Sequence, residues 1–189
     1  MTWRDARTRL DGADTGAVNL SFPDLVTSAI SLRAWTTHDV GVLVDACNDQ
    51  ALRAQLGLPA PYTATDAHDY VAQCSAGWTS GDQFTFAVTD RRAGTVIGSV
   101  RVGRTPHGAT AGYWTAPWAR RRGVASDALR LVSAWAIENG LSPIRLYVDA
   151  DNVASQRVAR RAGYQPDDHN RILDAEGRPG DLVFITRTP

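Results

Sequence analysis

The chain has 189 residues, of which 43% are hydrophobic, and its 20 basic residues balance its 20 acidic residues to a formal net charge of 0 at pH 7. This length and apolar content are typical of one globular domain with a real core. The balanced charge argues against a general attraction to nucleic acid or to a membrane surface. No apolar run approaches the ~20 residues that a membrane span needs, and no signal-peptide core follows the charges at the N-terminus. We therefore expect a cytoplasmic protein.

Residues 1–27 are polar and show little periodicity. We predict that they form a partly disordered N-terminal arm, with a lid or a dimer contact as the alternative. Residues 28–189 are predicted to form one domain. Cys47 and Cys74 are far apart in sequence, and we interpret them as free thiols in a reducing compartment, with a disulfide as the alternative. The four histidines show no metal-ligand spacing, so we predict no metal site.

The next patterns predict a strand and two helices. Alternating apolar residues over 30–34 indicate a half-buried strand. A capping pattern at residues 36–39 begins a first helix, whose apolar positions recur at helical spacing as far as Cys47. A second capping pattern at residues 65–69 begins another helix, which we expect to end at Gly77.

An antiparallel meander is predicted after these helices. Alternating residues over 84–88 and 96–102 indicate two strands joined by a glycine-containing turn. A third strand is expected over about 110–115, and Pro117 ends it because proline cannot donate to a strand ladder.

The last third of the chain alternates helices and strands. A strong helical stripe runs from Ala125 to Asn139, and a shorter helix is predicted over residues 153–162. Strands are expected over residues 144–148, 164–172 and 182–186. We therefore predict an α/β (α+β) fold, with a mixed and mostly antiparallel central sheet of about six to seven strands and helices on both faces.

The stretch Arg120-Arg121-Arg122-Gly123-Val124-Ala125 lies between the third meander strand and the long helix. Gly123 lets the backbone turn tightly and approach a ligand. The helix that begins there directs free N–H groups and the positive end of its dipole at one point. Three arginines would crowd that positive end unfavourably unless an anion binds there. The stretch therefore predicts a site for a pyrophosphate or a similar group.

These residues resemble the GNAT superfamily of acetyl-CoA-dependent N-acetyltransferases. Arg120-x-x-Gly123-x-Ala125 is similar to the cofactor motif of that family, in the same strand–turn–helix context. Asn152-x-x-Ser155 and the following Arg161-Ala162-Gly163-Tyr164 match a second landmark of the family. The order of the predicted helices and strands also agrees with the family from about residue 29 to the end of the chain. The Asn-x-x-Ser motif and the glycine-rich closing hairpin look like the RimJ/RimL branch, whose members acetylate the N-terminal amine of ribosomal proteins.

The resemblance implies acetyl-CoA as co-substrate, with no metal. In the family, two central strands splay apart here, and the third meander strand presents backbone groups to the pantetheine arm and to the thioester carbonyl. Trp118 is expected either to pack on the cofactor or to anchor its loop. Asn152 is expected to bond the pantetheine chain, to cap the short helix, or to do both. The residues expected to bind acetyl-CoA are Tyr113, Trp114, Thr115, Arg120, Arg121, Arg122, Gly123, Val124, Ala125, Ser126, Asn152 and Ser155.

The resemblance also implies the catalytic residues. Ser155 occupies the position where the branch carries the group that protonates the sulfur of coenzyme A, and its alternative role is to bond its own backbone at a helix start. Many family members place a Glu on the strand before the cofactor loop, and residues 109–111 contain none. Asp174 lies near the position of a catalytic Glu in RimL-type enzymes, so it is the predicted general base. Asp149, Asp151 and a water chain are the alternatives.

The predicted acceptor is a primary amine, as in a protein N-terminus. It should enter between the two early helices and the last hairpin, past Trp78, Tyr62, Tyr70 and Asp168. Two alternatives share the fold: an acetyltransferase for small amines or aminoglycosides, and a module that binds acetyl-CoA without catalysis. The missing strand Glu favours the second alternative, while Asn152 with Ser155 argues against it. A nucleic-acid-binding domain is disfavoured by the balanced charge, and a homodimer is compatible with the family.

Overall fold

The computed structural model describes residues 22–167 and 181–186. Thirteen helices and strands follow in chain order: β1 (Leu25–Val26), β2 (Ile30–Arg33), α1 (Val40–Cys47), α2 (Gln50–Leu56), α3 (Ala64–Ser80), β3 (Gln83–Asp90), β4 (Val96–Thr105), β5 (Gly108–Thr115), α4 (Val124–Glu138), β6 (Ile144–Asp149), α5 (Val153–Arg161), β7 (Gln165–Pro166) and β8 (Asp181–Thr186). Short 3-10 turns at Thr37–Asp39 and Pro117–Ala119 precede α1 and α4.

The strands of the described residues form one sheet in the order β1-β2-β3-β4-β5-β6-β8-β7. Neighbouring strands pair antiparallel except β5 and β6, which are parallel. This confirms the mixed, mostly antiparallel sheet. The sheet has eight strands rather than six to seven. The additional strand is β1, whose two residues are too few to show an alternation in sequence, whereas β7 lies inside the strand predicted over residues 164–172.

The sheet is covered on both faces, as predicted. Apolar residues of α4 and α5 pack with one set of strand residues, such as Phe86 and Val100. Apolar residues of α1, α2 and α3 pack on the other face with Ala87 and Trp114. Because side chains alternate along a strand, neighbouring positions such as Phe86 and Ala87 lie in different core layers.

The early helices differ from their predicted bounds. Helix α3 begins at Ala64 because Thr63, not a residue of the 65–69 pattern, caps it in a reciprocal pair with Asp66. It continues past Gly77 and ends at Gly81, whose φ of 73° reverses the chain direction. Helix α2 was not predicted, because its seven residues offer too short an apolar period.

Two segments with sequence predictions lie outside the described residues. They are residues 1–21, most of the predicted arm, and residues 168–180, which contain Asp168, Asp174 and part of the last hairpin. Residues 22–27 of the predicted arm are described, and they include β1, where Leu25 pairs with Leu32 and Val26 with Ser31.

Candidate active site

The parallel strands β5 and β6 separate in the middle of the sheet. They pair only from Ala109 and Ile144 to Ala111 and Leu146. Beyond that point β5 stays paired with β4 as far as Thr115, and β6 stays paired with β8 as far as Asp149. The β6-facing backbone groups of residues 112–115 therefore have no strand partner among the described residues. This opening can accept an extended ligand that bonds to a strand edge.

Side chains at the mouth of this opening point to opposite faces. Tyr113 lies on the face covered by α4 and α5, like Ala109 and Ala111. Trp114 is buried on the other face, where its ring centroid lies 6.1 Å from that of Trp35. Within the predicted cofactor strand, Trp114 can therefore offer only its backbone to the opening, whereas Tyr113 can also offer its side chain.

The N-terminus of α4 has no side-chain cap. Gly123 is its N-cap residue, with φ of 80°, a conformation that L side chains rarely adopt. In contrast, the side chains of Asp49, Thr63 and Asn152 accept a backbone N–H at the starts of α2, α3 and α5. The first-turn N–H groups at Val124, Ala125 and Ser126 have no partner within the described residues. Uncapped N–H groups and the helix dipole make this end of α4 suited to an anion.

The three arginines before α4 have different surroundings. Arg120 donates to Asp49 at 2.6 Å, and Arg122 donates to Asp90 at 2.9 Å. The Arg120 guanidinium lowers the pKa of Asp49, and backbone N–H donors together with Arg122 lower the pKa of Asp90. Within the part of the chain that the structure describes, Arg121 has neither an ion pair nor a hydrogen bond. Of the three arginines, Arg121 is therefore the one whose guanidinium is available to bind a ligand.

Trp118 lies in the 3-10 turn beside these arginines. It is 49% exposed, which is unusual for a large aromatic side chain. The Trp118 side chain is therefore accessible to a ligand.

Asn152 caps α5 on the other side of the opening. Its Oδ1 accepts the backbone N–H of Ser155 at 2.9 Å. Its Nδ2 has no hydrogen-bond partner among the described residues. The capping role expected for Asn152 is thus present, and its amide donor is still available to a ligand.

Ser155 faces the sheet rather than the backbone of its own helix. The phenol of Tyr113 donates to Ser155 Oγ at 3.0 Å, which joins β5 to α5 beside the opening. Burial raises the pKa of Tyr113 above its ordinary value, against the opposing effect of the bond to Ser155. From the sequence, only the backbone of Tyr113 was expected to contact the cofactor. The available signal was its position two residues after the apolar Ala111, on the face that α5 covers.

The candidates for a general base are only partly described. Asp149 is exposed and its Oδ1 accepts the backbone N–H of Asp151 at 2.7 Å, so it stabilises the turn after β6. Asp151 is exposed in the same turn. Asp174 and Asp168 lie outside the described residues. No group of His, Cys, Asp and Glu in the described part of the chain has an arrangement that could hold a metal ion.

The aromatic residues expected near the acceptor divide into two sets. Tyr62 is buried, and the hydroxyl of Tyr70 lies 3.0 Å from Ser99 Oγ between α3 and the sheet. Trp78 lines a cavity of about 290 Å³ beside β3, together with Trp35 and Thr85. Tyr62 is thus buried away from any ligand, Tyr70 is half-buried, and Trp78 lines the cavity together with Trp35, which was not predicted from the sequence.

The family model of the acetyltransferase (GNAT) domain matches residues 30–165. No curated protein sequence matches the chain. None of the helices in the described ranges is long and apolar enough to cross a membrane.

Three solved structures illustrate the similarity of the fold. A proposed ribosomal-protein-serine acetyltransferase from Vibrio cholerae is 24% identical, with a TM-score of 0.73 over 88% of this chain and 98% of that one. The RimL ribosomal L7/L12 alpha-N-protein acetyltransferase, solved with coenzyme A, is 20% identical, with a TM-score of 0.73 over 86% of this chain and 96% of that one. RimJ of Mycobacterium smegmatis, solved with a coenzyme A disulfide, is 19% identical, with a TM-score of 0.71 over 84% of this chain and 82% of that one.

Proposed function

Because the chain belongs to the GNAT acetyltransferase family, we propose that it transfers an acetyl group from acetyl-CoA directly to a primary amine, as a RimJ/RimL-like enzyme of the cytoplasm. The observation that carries this proposal is the conjunction of the β5–β6 opening with the uncapped N-terminus of α4. The proposed acceptor is the α-amine of a protein N-terminus.

In this proposal the pyrophosphate binds the first turn of α4. The N–H groups of residues 124–126 donate to phosphate oxygens, and Gly123 keeps side-chain atoms away from them. Arg121 supplies the charge-assisted contact, because Arg120 and Arg122 already pair with carboxylates. The exposed side chain of Trp118 covers one side of the bound cofactor.

The pantetheine arm lies in the opening between β5 and β6. Backbone groups of residues 113–115 bond the arm, and one N–H polarises the thioester carbonyl and stabilises the oxyanion. Nδ2 of Asn152 donates to the arm while Oδ1 continues to cap α5.

The chemistry needs two proton transfers. The acceptor nitrogen attacks the thioester carbon and loses a proton to the general base, for which we propose Asp174. As the carbon–sulfur bond breaks, its electron pair stays on sulfur, and Ser155 donates its hydroxyl proton there. Replacing Ser155 by Ala or Asp174 by Asn should lower turnover without abolishing acetyl-CoA binding. Unchanged turnover in either variant would remove that residue from the mechanism.

The cofactor site is tested by calorimetric titration of acetyl-CoA, with adenosine and pyrophosphate titrated in parallel. Gly123→Glu should weaken acetyl-CoA binding at least about tenfold, because a carboxylate at the helix N-terminus repels the phosphates. Gly140→Glu is the matched control. Gly140 follows the opposite end of α4, and it also has a positive φ and open space around its Cα. Failure of the folded wild-type protein to bind acetyl-CoA would refute the proposal.

The acceptor is tested with a panel that separates its classes. Peptides beginning with Ser or Ala, the same peptides with a blocked α-amine, an aminoglycoside and a polyamine are incubated with acetyl-CoA and the products are weighed by mass spectrometry. Acetylation of the free α-amine alone would support the N-terminal acceptor. Acetylation of the aminoglycoside or the polyamine alone would replace it with a small-amine acceptor. Acetyl-CoA binding without any product would favour a non-catalytic module.

A further inference from the structure

The side chain of Tyr113 lies at the opening, and the proposed reaction assigns it no role. Its ring lies on the α4 and α5 face of β5, next to the point where β5 and β6 part. Its hydroxyl lies 3.0 Å from Ser155 Oγ. The two residues are 42 positions apart in sequence and belong to different elements. The contact therefore depends on how α5 packs against the sheet.

The direction of this hydrogen bond constrains Ser155. The phenol donates and Ser155 Oγ accepts, which is the favoured direction because a phenol is a more acidic donor than an aliphatic hydroxyl. A hydroxyl has a single proton, so the proton of Ser155 must point to another partner. The backbone of Ser155 is held as well, because its N–H donates to Asn152 Oδ1. Before a ligand binds, these two contacts hold Ser155 in place and direct its proton away from Tyr113.

We propose that Tyr113 is a positioning residue for Ser155: its hydrogen bond to Oγ aims the Ser155 proton at the sulfur of coenzyme A in the β5–β6 opening. This inference rests on the proposed function. Tyr113 itself touches neither sulfur nor acceptor and acts through Ser155.

The proton balance does not require Tyr113 to ionise. When the carbon–sulfur bond breaks, sulfur receives the proton of Ser155, and Oγ is restored by the proton that the acceptor nitrogen releases through the general base or water. One proton therefore moves from nitrogen to sulfur, and Tyr113 keeps its own. Burial supports this role, because it raises the pKa of Tyr113 and keeps the phenol a donor across the working pH range.

The inference is tested without an acceptor, through the binding of coenzyme A. A donor aimed at sulfur stabilises the thiolate, so the thiol of bound coenzyme A should have a lower pKa than the free thiol. Coenzyme A should then bind more tightly as the pH rises from about 7 to about 9.5, a range that spans the ordinary thiol pKa of about 8.5. Acetyl-CoA carries the same phosphates but no thiol. The ratio of the two affinities at each pH therefore cancels the titration of phosphates and of protein groups outside the sulfur site.

For the wild type we expect this ratio to rise by about tenfold over that range, which corresponds to a thiol pKa lowered by on the order of one unit. Ser155→Ala should abolish the rise, and Tyr113→Phe should reduce it to about threefold or less, because Ser155 can then turn its proton elsewhere. Combining the two substitutions should add nothing to Ser155→Ala alone, since Tyr113 acts only through Ser155.

The chain offers a matched control for the loss of a tyrosine hydroxyl. Tyr164 and Ser133 form a second hydroxyl pair, 2.7 Å apart in the core between α4 and the sheet. Tyr164→Phe removes a serine-bonded phenol in the same way but away from the opening. It should retain the wild-type pH dependence even if its melting temperature falls.

The outcomes separate this inference from the proposed function. If the wild type binds neither acetyl-CoA nor coenzyme A, the proposed function fails and the inference falls with it. If acetyl-CoA binds and Tyr113→Phe keeps the full pH dependence of the wild type, only the inference is overturned. The same holds if Tyr164→Phe loses as much of the rise as Tyr113→Phe, because the effect would then follow stability and not the contact with Ser155.

Discussion

Arg120 and Asp49 form an ion pair of 2.6 Å that connects the loop before α4 to the start of α2. The same Asp49 Oδ1 also accepts the backbone N–H of Leu52 and thereby caps α2. Arg120 thus holds two elements together, while the neighbouring Arg121 has no ion pair or hydrogen bond with any residue that the structure describes. The three consecutive arginines are equivalent in sequence but not in structure.

From this difference we predict unequal effects on acetyl-CoA affinity. Arg121→Ala should weaken binding by about tenfold, because a charge-assisted phosphate contact is worth about 1.5 kcal/mol or more. Arg120→Ala and Arg122→Ala should each weaken binding less, since both guanidinium groups are paired in the free protein. Calorimetry at low and at high salt measures the three affinities.

A salt dependence is part of this prediction. The affinity of the wild type should fall as salt is added, and Arg121→Ala should flatten that dependence more than the other two variants. Equal losses in all three variants would contradict the assignment of Arg121. Greater loss in Arg120→Ala would indicate that the order of the loop matters more than the free charge.

Asn152 is predicted to have two separable roles. Asn152→Asp keeps an oxygen to cap α5 and removes the Nδ2 donor, so it should keep the melting temperature but weaken acetyl-CoA binding about fivefold or more. Asn152→Ala removes both groups and should also destabilise the protein by about 1 kcal/mol. Thermal unfolding and calorimetry on the two variants distinguish the roles. Full affinity in Asn152→Asp would leave Asn152 as a helix cap only.

Asp39 is predicted to make stability depend on acid pH. Burial by itself would raise the pKa of Asp39, but hydrogen bonds from Arg33 at 2.7 and 2.8 Å and from Thr36 outweigh it and lower the pKa. A carboxyl whose pKa is lower in the folded state stabilises the fold above its unfolded pKa of about 3.9 and loses that contribution as the pH falls further. Asp39→Asn should therefore cost about 1–2 kcal/mol near neutral pH.

The difference between wild type and Asp39→Asn should shrink as the pH drops below about 4, because the carboxyl of the unfolded chain is protonated first, and it should be lost once the pH passes the lowered pKa of the folded state. Urea unfolding of both proteins at several pH values measures this difference in the free energy of unfolding. Asp45→Asn, at an exposed position of α1, is the control and should change stability little. A difference between wild type and Asp39→Asn that is constant with pH would exclude the carboxylate as its source.

Both cysteines are predicted to be unreactive in the folded protein. Cys47 and Cys74 are buried free thiols, and burial raises the pKa of each to about 12. Only about one thiol in ten thousand would be ionised at pH 8, and the thiolate is the nucleophile. A coloured thiol reagent should therefore react with both thiols only after denaturant is added. Rapid reaction of either thiol in native protein would contradict this burial.

The sheet, the helices on both of its faces and the glycine at the start of α4 could be predicted from sequence because each leaves a short-range pattern. Alternation over residues 84–88 and 96–102 marks β3 and β4, and the apolar stripe from Ala125 marks α4. Strand β1 and helix α2 could not be predicted in this way, since two and seven residues hold too little periodicity. Strand β7 was predicted as part of a longer strand over residues 164–172. The predicted roles of Asn152 and Ser155 came from a motif of four residues and from the family that carries it.

The features that could be predicted from neighbouring residues are therefore local: the period of each long element, the turn at Gly123 and the motif that identifies the family. The ion pairs and hydrogen bonds around the opening form only when the chain is folded. Arg120 meets Asp49 across 71 positions, Arg122 meets Asp90 across 32, and Tyr113 meets Ser155 across 42. Contacts over such distances depend on how helices pack on the sheet. No pattern of neighbouring residues records that packing, so the free arginine and the paired hydroxyls become visible only in the folded chain.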